Sequence, residues 1–261
     1  MEMIVLMPIG GKSSRFKNAG YKINKSIMPV TDRFTGKKIL MTLAALKDIP
    51  WLQKKSTQLI CVGTHEHKHN GLEKKIYNSY PGTIFIYDFV QLDQAYGCFL
   101  ARTLLQNNDE LFIGACDNGF DIDLNVFEKF KKSYDAIMIS HTNDTNIENN
   151  PNAHSWALLN KQRNQIKKIS LKKTVSKNFM QDHATTGMFW FKNSSIFVEK
   201  LEKMIGNKDT LNGKYYLDNL LNYYVRDGSR VGFFDVNYVC WGTPDDYEQY
   251  ENTLTYWKKF K

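Results

Sequence analysis

The sequence predicts an α/β fold, a mostly parallel central sheet with helices on both faces. Three observations carry that prediction. Short, almost wholly apolar runs recur through residues 1–140, too greasy for strands with one face in water. Segments with helical apolar spacing lie between them, the rhythm of parallel strands joined by crossovers. The chain has 261 residues, enough for one large domain or two intimate halves around a sizeable core.

Taken in order, residues 4–8 (IVLMP) form a first strand that feeds a loop rich in glycine, serine and cations. A helix follows over 38–49, a strand over 58–63, a helix over 66–79 and a strand over 83–89. A helix at 97–106, a strand at 110–116, a helix at 124–133 and a strand at 135–140 complete a doubly wound half, 1–140. Such halves bind ligands at the carboxyl ends of their strands. Residues 141–155 (HTNDTNIENNPNAHS) are Asn-rich and broken by a proline, and they read as a long exposed loop or a seam. A smaller α+β half, 155–261, has strands at 155–160, 164–170, 187–192 and 230–236, with helices at 194–205, 214–227 and 244–257. The remainder after the seam is short and continues in strand-like pieces, so residues 1–261 are expected to form a single domain.

A formal net charge of +8 points to anionic partners. The lysines are scattered in pairs such as Lys54-Lys55, Lys74-Lys75 and Lys131-Lys132, so a solvated surface is expected and nucleic acid is not. A small phosphorylated ligand needs only a few well-placed cations. No stretch approaches the ~20 apolar residues of a membrane span, and residues 1–8 lack a secretory pattern. Cys61, Cys98, Cys116 and Cys240 are widely spaced with no CxxC, which predicts buried thiols in a reducing cytoplasm. His65, His67 and His69 sit at the start of a helix and are expected at the surface, without zinc spacing.

The loop IGGKSSRFKNAGYKINKS contains GKS, but it is not a phosphate-binding P-loop. That motif needs a glycine five residues before its GK glycine; counting back from Gly11, the position holds Leu6. The dinucleotide pattern GxGxxG fails as well, for want of a correctly spaced third glycine. What remains is a strand, Gly10-Gly11, Ser13-Ser14, Arg15 and Lys25. Glycine lets backbone amides approach a phosphate, and such turns form anion-binding concavities. Arg15 adds a planar bidentate donor and Lys25 a mobile point charge.

With these residues the chain resembles the nucleoside-diphosphate-sugar pyrophosphorylase (nucleotidyltransferase) family, whose opening is approximately M-P-x-A-G-x-G-S-R-F…P-K-P-L. Gly10, Gly11, Ser14, Arg15, Phe16 and Lys25 fall on matching positions. QLDQAYGCFLA (91–101) resembles the family's base-contacting turn, FIGACDNGF (112–120) the strand ending in its metal-binding Asp, TTGMFWFKN (185–193) its acceptor-side strand, and WGTPDDYEQY (241–250) its G-T-P segment. The match spans nearly the whole chain, and the ordered combination is more specific than any single motif.

The resemblance implies a Rossmann-like (GT-A-like) fold and a reaction in which an acceptor phosphate attacks the α-phosphorus of an NTP and expels pyrophosphate. It implies Arg15 over the β- and γ-phosphates and Lys25 bridging the attacking and α-phosphates. The backbone of Gly10 and Gly11 with Ser13 and Ser14, and Gln91 or Gln94 with Gly97, would hold the nucleotide. Lys172 or Lys173 and Gly187 would hold the acceptor, and Asp117 would anchor Mg²⁺. A glutamine at the base edge leans the nucleotide to CTP or UTP. The acceptor it implies is a sugar 1-phosphate, and in capsule-related bacterial relatives it can be a non-sugar phosphate, including phosphoglutamine.

The chain also departs from the pattern. The second glycine of the signature's A-G-x-G is Ser13 here. Lys25 is flanked by Asn24 and Ser26 instead of prolines, which predicts a looser loop. The family's second metal-binding Asp, two residues before the G-T-P segment, is replaced by Cys240, leaving Asp235 as the nearest upstream carboxylate, able to reach the metal only in a different register. Asp245 and Asp246 are expected to cap the last helix. The family's E-K-P segment, which contacts the sugar and its phosphate, has its counterpart in ISLKK (169–173), where Leu171 stands for the Glu, so the sugar hydroxyls lose a ligand. Two other readings compete. A GT-A glycosyltransferase would use Asp121-Ile122-Asp123 as its D-x-D motif, and a non-catalytic nucleotide-binding protein would explain Cys240. The C-terminal helix, with Tyr247, Tyr250, Tyr256 and Trp257, offers a face for a homo-oligomer.

Overall fold

The computed structural model describes residues 3–260. Strand β1 (Met3–Pro8) leads to helix α1 (Ser14–Asn18), a small hairpin of β2 (Pro29–Thr31) and β3 (Lys38–Leu40), and α2 (Met41–Lys47). Next come β4 (Thr57–Gly63), α3 (Glu66–His69), α4 (Leu72–Ser79), β5 (Ile84–Tyr87), α5 (Gln94–Leu100), β6 (Glu110–Ile113), β7 (Asn118–Asp121), α6 (Leu124–Phe130) and β8 (Ala136–His141). The rest of the chain adds α7 (Thr145–Asn149), β9 (Trp156–Leu159), β10 (Ile166–Ser170), β11 (Ala184–Phe191), α8 (Ser194–Gly206), α9 (Leu217–Arg226), β12 (Val231–Asp235), β13 (Asn237–Cys240) and α10 (Pro244–Trp257).

Nine strands make one sheet in the order β10-β9-β11-β6-β1-β4-β5, with β8 on β11 and β12 on β8. The pairs β1–β4, β1–β6, β4–β5 and β8–β12 are parallel, while β11 runs against β6, β8 and β9, and β10 against β9. All strands but β10 and β11 therefore point one way, and the expected mostly parallel α/β sheet is there. Its two faces follow from side-chain alternation. Met3, Val5 and Met7 of β1 enter one core cluster with α2 and α6, and Ile4 and Leu6 enter the other with α5, α8 and α9. Both parities are buried, which is why the strand reads as a continuous apolar run.

Several element boundaries differ from expectation. Residues 38–40 belong to the β2–β3 hairpin, with Pro29 opposite Leu40, so the helix begins at Met41. The helix over 66–79 is two helices, broken at Gly71, whose φ of 80° is left-handed. The helix expected at 97–106 starts earlier, at Gln94, where the Asp93 side chain caps it, and ends at Leu100. The strand at 110–116 stops at Ile113, and residues 118–121 pair instead with β13 in a separate two-stranded sheet. Residues 141–155 are only partly exposed and are not a plain loop: Asp144 caps α7, whose Ile147 is buried, and His141 and Ser155 are buried too, while Asn143, Thr145 and 148–150 face solvent. Asn, Asp and Thr count as turn formers locally, and the single apolar Ile147 is too little signal to override them. Among the described residues no helix is long and apolar enough to cross a membrane. All four cysteines are free thiols.

Candidate active site

Strands β1 and β6 are neighbours and parallel, so their carboxyl ends emerge side by side. A cavity of about 860 Å³ opens there, lined by Arg15 and Asn18 from α1, Asp117 and Asn118 beyond β6, His154 of the 141–155 segment, Gly187 of β11, and Lys172 and Asp218 from the second half. Five of the residues singled out in the sequence meet at it: Arg15, Gln94, Asp117, Lys172 and Gly187.

Lys25 joins through its partner. Its Nζ lies 2.5 Å from Oδ2 of Asp117, and both side chains are about one-fifth exposed (21% each). Burial alone would lower the Lys25 pKa, but the Asp117 carboxylate outweighs it and raises the ammonium to about 12. Burial would likewise raise Asp117, yet Lys25, with Arg15 adding a smaller pull, keeps it below the usual carboxylate range. Arg15 lies within electrostatic reach of Lys25, Asp117 and Lys172, and so sits between the two halves of the site.

The Lys25 segment is not loose. Ser13 occupies the left-handed region (φ 54°, ψ 32°), a conformation that suits the glycine it replaces. Its hydroxyl donates to Asn24 Oδ1 at 2.9 Å and accepts the Lys25 backbone N–H at 3.0 Å. Asn24 Oδ1 also accepts from the Ser26 N–H and hydroxyl, and Asn24 Nδ2 donates to the Gly11 carbonyl. Behind them the fully buried His67 accepts the Thr64 N–H at Nδ1 (3.0 Å), which leaves Nε2–H to donate to Ser26 Oγ at 2.9 Å. Burial holds His67 neutral, with its pKa pushed down to about 4. The expectation of a surface His67 is thus corrected. Sequence reading missed this network because Ser26 and His67 lie 41 residues apart and show no local pattern.

The other candidates divide. An added Cβ at Gly10 or Gly11 would meet only ordinary contacts (3.6 Å to Asp88, 3.8 Å to Lys25), so packing within the protein does not demand glycine at either place. Ser14 opens α1 and is exposed. Gly97 is buried in α5 with Pro8 of β1 only 3.4 Å from a would-be Cβ, so it sets the helix-to-strand distance instead of lining the cavity. Gln91 has φ 54° on the loop before α5, its N–H held by Asp88. Gln94 Nε2 donates to the Gly187 carbonyl at 3.0 Å and ties the halves together. Gly187 has φ 81° at an irregularity in the β11–β8 pairing. Lys172 also has a left-handed φ of 55°; its Nζ donates to the Ala153 carbonyl and rests 5.0 Å from the Tyr216 ring centre. Burial lowers its pKa.

Asp235 does not line the cavity. The register pairs it with Ser140, whose hydroxyl it accepts at 2.6 Å, and His183 Nδ1 holds the same oxygen at 2.9 Å. The register that would bring it toward Asp117 is not the one formed. Cys240 stands opposite Asn118, and its thiol donates to Asp246 Oδ2 at 3.3 Å. Burial raises that thiol's pKa and keeps it protonated, a poor ligand for a hard cation. Thr243, not an aspartate, caps α10, while Asp245 and Asp246 of its first turn line the cavity. Asp121 pairs with Arg33 and Asp123 caps α6, so the D-x-D residues are engaged away from the cavity.

A divalent cation is testable against these donors. Among the described residues no three His, Cys, Asp or Glu side chains group as a metal cage. Asp117 offers one carboxylate, and Asn118, whose buried Oδ1 has no hydrogen-bond partner among the described residues, lines the same cavity. That set suits a hard ion completed by phosphate oxygens and water, as Mg²⁺ prefers.

No family model matches the chain, and no curated protein sequence matches it either. Solved structures do. A nucleoside-diphosphate-sugar pyrophosphorylase from Vibrio cholerae RC9 superposes with a TM-score of 0.74 at 14% identity, covering 95% of this chain and 99% of that one. The inositol-1-phosphate CTP transferase from T. maritima matches with a TM-score of 0.66 at 17% identity, over 98% and 95%. HddC from Yersinia pseudotuberculosis, solved with GMP-PN, matches with a TM-score of 0.64 at 14% identity over the full length of both chains. At these identities the likeness shows a shared fold, the Rossmann-like fold of those structures.

Proposed function

We propose that the protein is a nucleotidyltransferase that moves a nucleotidyl group from an NTP to a phosphorylated acceptor and releases pyrophosphate. The observation that carries this reading is the Lys25–Asp117 pair at a cavity flanked by Arg15 on one side and Lys172 on the other. Two anions must meet and a third must leave, so placed charge is most of the catalysis. Arg15, on the first helix after β1, faces the β- and γ-phosphates and holds the departing pyrophosphate. Lys25 stays charged at any working pH, because Asp117 raises it to about 12, and it spans the attacking and α-phosphate oxygens. Lys172 receives the acceptor phosphate. Asp117, ionised throughout, and Asn118 would hold Mg²⁺, which when bound neutralises the triphosphate.

The base is proposed to be a pyrimidine, CTP or UTP. Gln94, which lines the cavity, commits one amide N–H to the Gly187 carbonyl and keeps its other N–H and its Oε1, so Gln94, or Gln91 on the loop before α5, reads the base edge. The acceptor is a sugar 1-phosphate or a non-sugar phosphate such as phosphoglutamine. Leu171 supports the second, since it packs on the core and offers no carboxylate to sugar hydroxyls. The glycosyltransferase reading lacks a free D-x-D.

The test is pyrophosphate release with Mg²⁺, each of the four NTPs and a panel of sugar, polyol and amino-acid phosphates. The expected result is release with CTP or UTP at least ~10-fold above ATP or GTP, about 1.4 kcal/mol of discrimination. A purine preference overturns the base assignment, and silence with every pair overturns the reaction.

A further inference from the structure

The cavity contains five aspartates, Asp93, Asp117, Asp218, Asp245 and Asp246. Three are satisfied. Asp93 accepts the N–H groups of Tyr96 (2.9 Å) and Tyr215 (2.7 Å), Asp117 has Lys25, and Asp246 has the Thr243 hydroxyl and the Cys240 thiol. Asp245 is exposed and solvated. Asp218 is different. In the first turn of α9 it is 7% exposed, its Oδ1 is buried with no hydrogen-bond partner, and no hydrogen bond from the described residues reaches its carboxylate.

The nearest cation does not close the gap. Lys172 feels the Asp218 charge, yet its Nζ lies on the Ala153 carbonyl and the Tyr216 ring, with no ion pair to Asp218 within 4.0 Å. A carboxylate with one oxygen removed from water and left unpaired is costly, and proteins retain such groups where something else completes them. Beside it stands a second idle acceptor. His154 is kept neutral by burial, its pKa pushed down to about 4, and its Nδ1 is within 3.3 Å of the Thr185 carbonyl, which assigns the proton to Nδ1 and leaves Nε2 as an acceptor. The wall next to Lys172 therefore combines one cation with two acceptors.

We infer that Asp218 is a specificity-determining residue that receives a hydrogen-bond donor of the acceptor, so that the acceptor is a phosphate monoester carrying an ammonium or hydroxyl group a short distance from its phosphate. This rests on the cavity's being the acceptor site of the reaction proposed above. Lys172 takes the phosphate, and Asp218 takes the donor and rejects acceptors that would leave it dry and unpaired.

The experiment compares three probes, ethyl phosphate, ethanolamine phosphate and glycerol 3-phosphate, binding to the full chain with Mg²⁺ and a non-hydrolysable NTP. It uses wild type, Asp218→Asn and Asp218→Ser. The donor-bearing probes are expected to bind at least ~10-fold tighter than ethyl phosphate, the worth of one charge-assisted hydrogen bond. Ethanolamine phosphate leading identifies an ammonium and glycerol 3-phosphate leading a hydroxyl, and either supports the inference. Both variants should lose that advantage, to less than ~2-fold, while melting no lower than wild type, because each removes an unpaired charge. If all probes bind alike, or the variants keep the preference, the Asp218 inference falls while the acceptor site stands. If no phosphate binds any of the proteins, the acceptor reading falls and takes the inference with it.

Discussion

Ser13 separates stability from activity in a way that few other positions here allow. Its left-handed backbone costs a non-glycine residue roughly 1–2 kcal/mol, and its hydroxyl makes two hydrogen bonds, to Asn24 and from the Lys25 N–H, worth about 1 kcal/mol each. Ser13→Ala keeps the strain and loses both bonds, so it should lower stability by about 2 kcal/mol. Ser13→Gly loses the same bonds but relieves the strain, partly offset by the greater freedom of glycine in the unfolded chain, so its loss should be about 1 kcal/mol. In both variants the Lys25 N–H has lost its tether, and a misplaced Lys25 should reduce kcat by about 10-fold or more. Urea unfolding and pyrophosphate release measure the two quantities. The signature is two variants that differ in stability and match in activity. If kcat follows stability, with Ser13→Gly near wild type, the hydroxyl does not position Lys25 and the reasoning fails.

Other outcomes follow from the same geometry. Lys25→Ala and Asp117→Ala should each lower turnover by at least ~10²-fold, since each removes a charge aimed at the transition state; near-normal steady-state rates would show these residues to be misassigned. His67 titrates near pH 4 in the fold against about 6.5 in the unfolded chain, so the folded state binds fewer protons between those values. Its contribution is complete above pH 6.5 and declines on acidification, by roughly 3 kcal/mol in all. Chemical denaturation from pH 7 to 4 should show that component in wild type and not in His67→Gln. Gly187→Ala meets no atom within 4 Å, so its destabilisation, roughly 1–2 kcal/mol, should be purely conformational. A calorimetric change near zero would mean that the left-handed turn is not held in solution.

The legible parts of the molecule were those with local or ordered signals. The unbroken apolar runs of β1, β4 and β6 announced a sheet covered on both sides, because burial on both faces leaves no polar alternation to hide them. Arg15, Asp117, Lys172 and Gly187 were found through ordered motifs and do meet at one cavity. What stayed hidden depends on contacts distant in sequence. The three-residue strands of the β2–β3 hairpin are too short to show a period, and α7 is spelled in turn-forming residues. Asn24 and Ser26 read as weaker than prolines until His67 is seen behind them. Asp218 looks like an ordinary first-turn carboxylate, and only its burial and missing partner mark it. Asp235 was misleading because one unit of strand register decides which side chain an acid meets.

Nucleotidyl transfer breaks the bond between the α-phosphorus and the bridging oxygen to the β-phosphate, and isotope placement reads that directly. CTP and UTP labelled with ³²P at the α-position, or alternatively at the γ-position, are supplied with Mg²⁺ and the panel of phosphorylated acceptors. The expected result is α-label in a nucleoside-diphosphate-linked product only when an acceptor is present, with γ-label leaving entirely as pyrophosphate. γ-Label transferred to an acceptor, or α-label that never leaves the nucleotide pool with any acceptor, would contradict it.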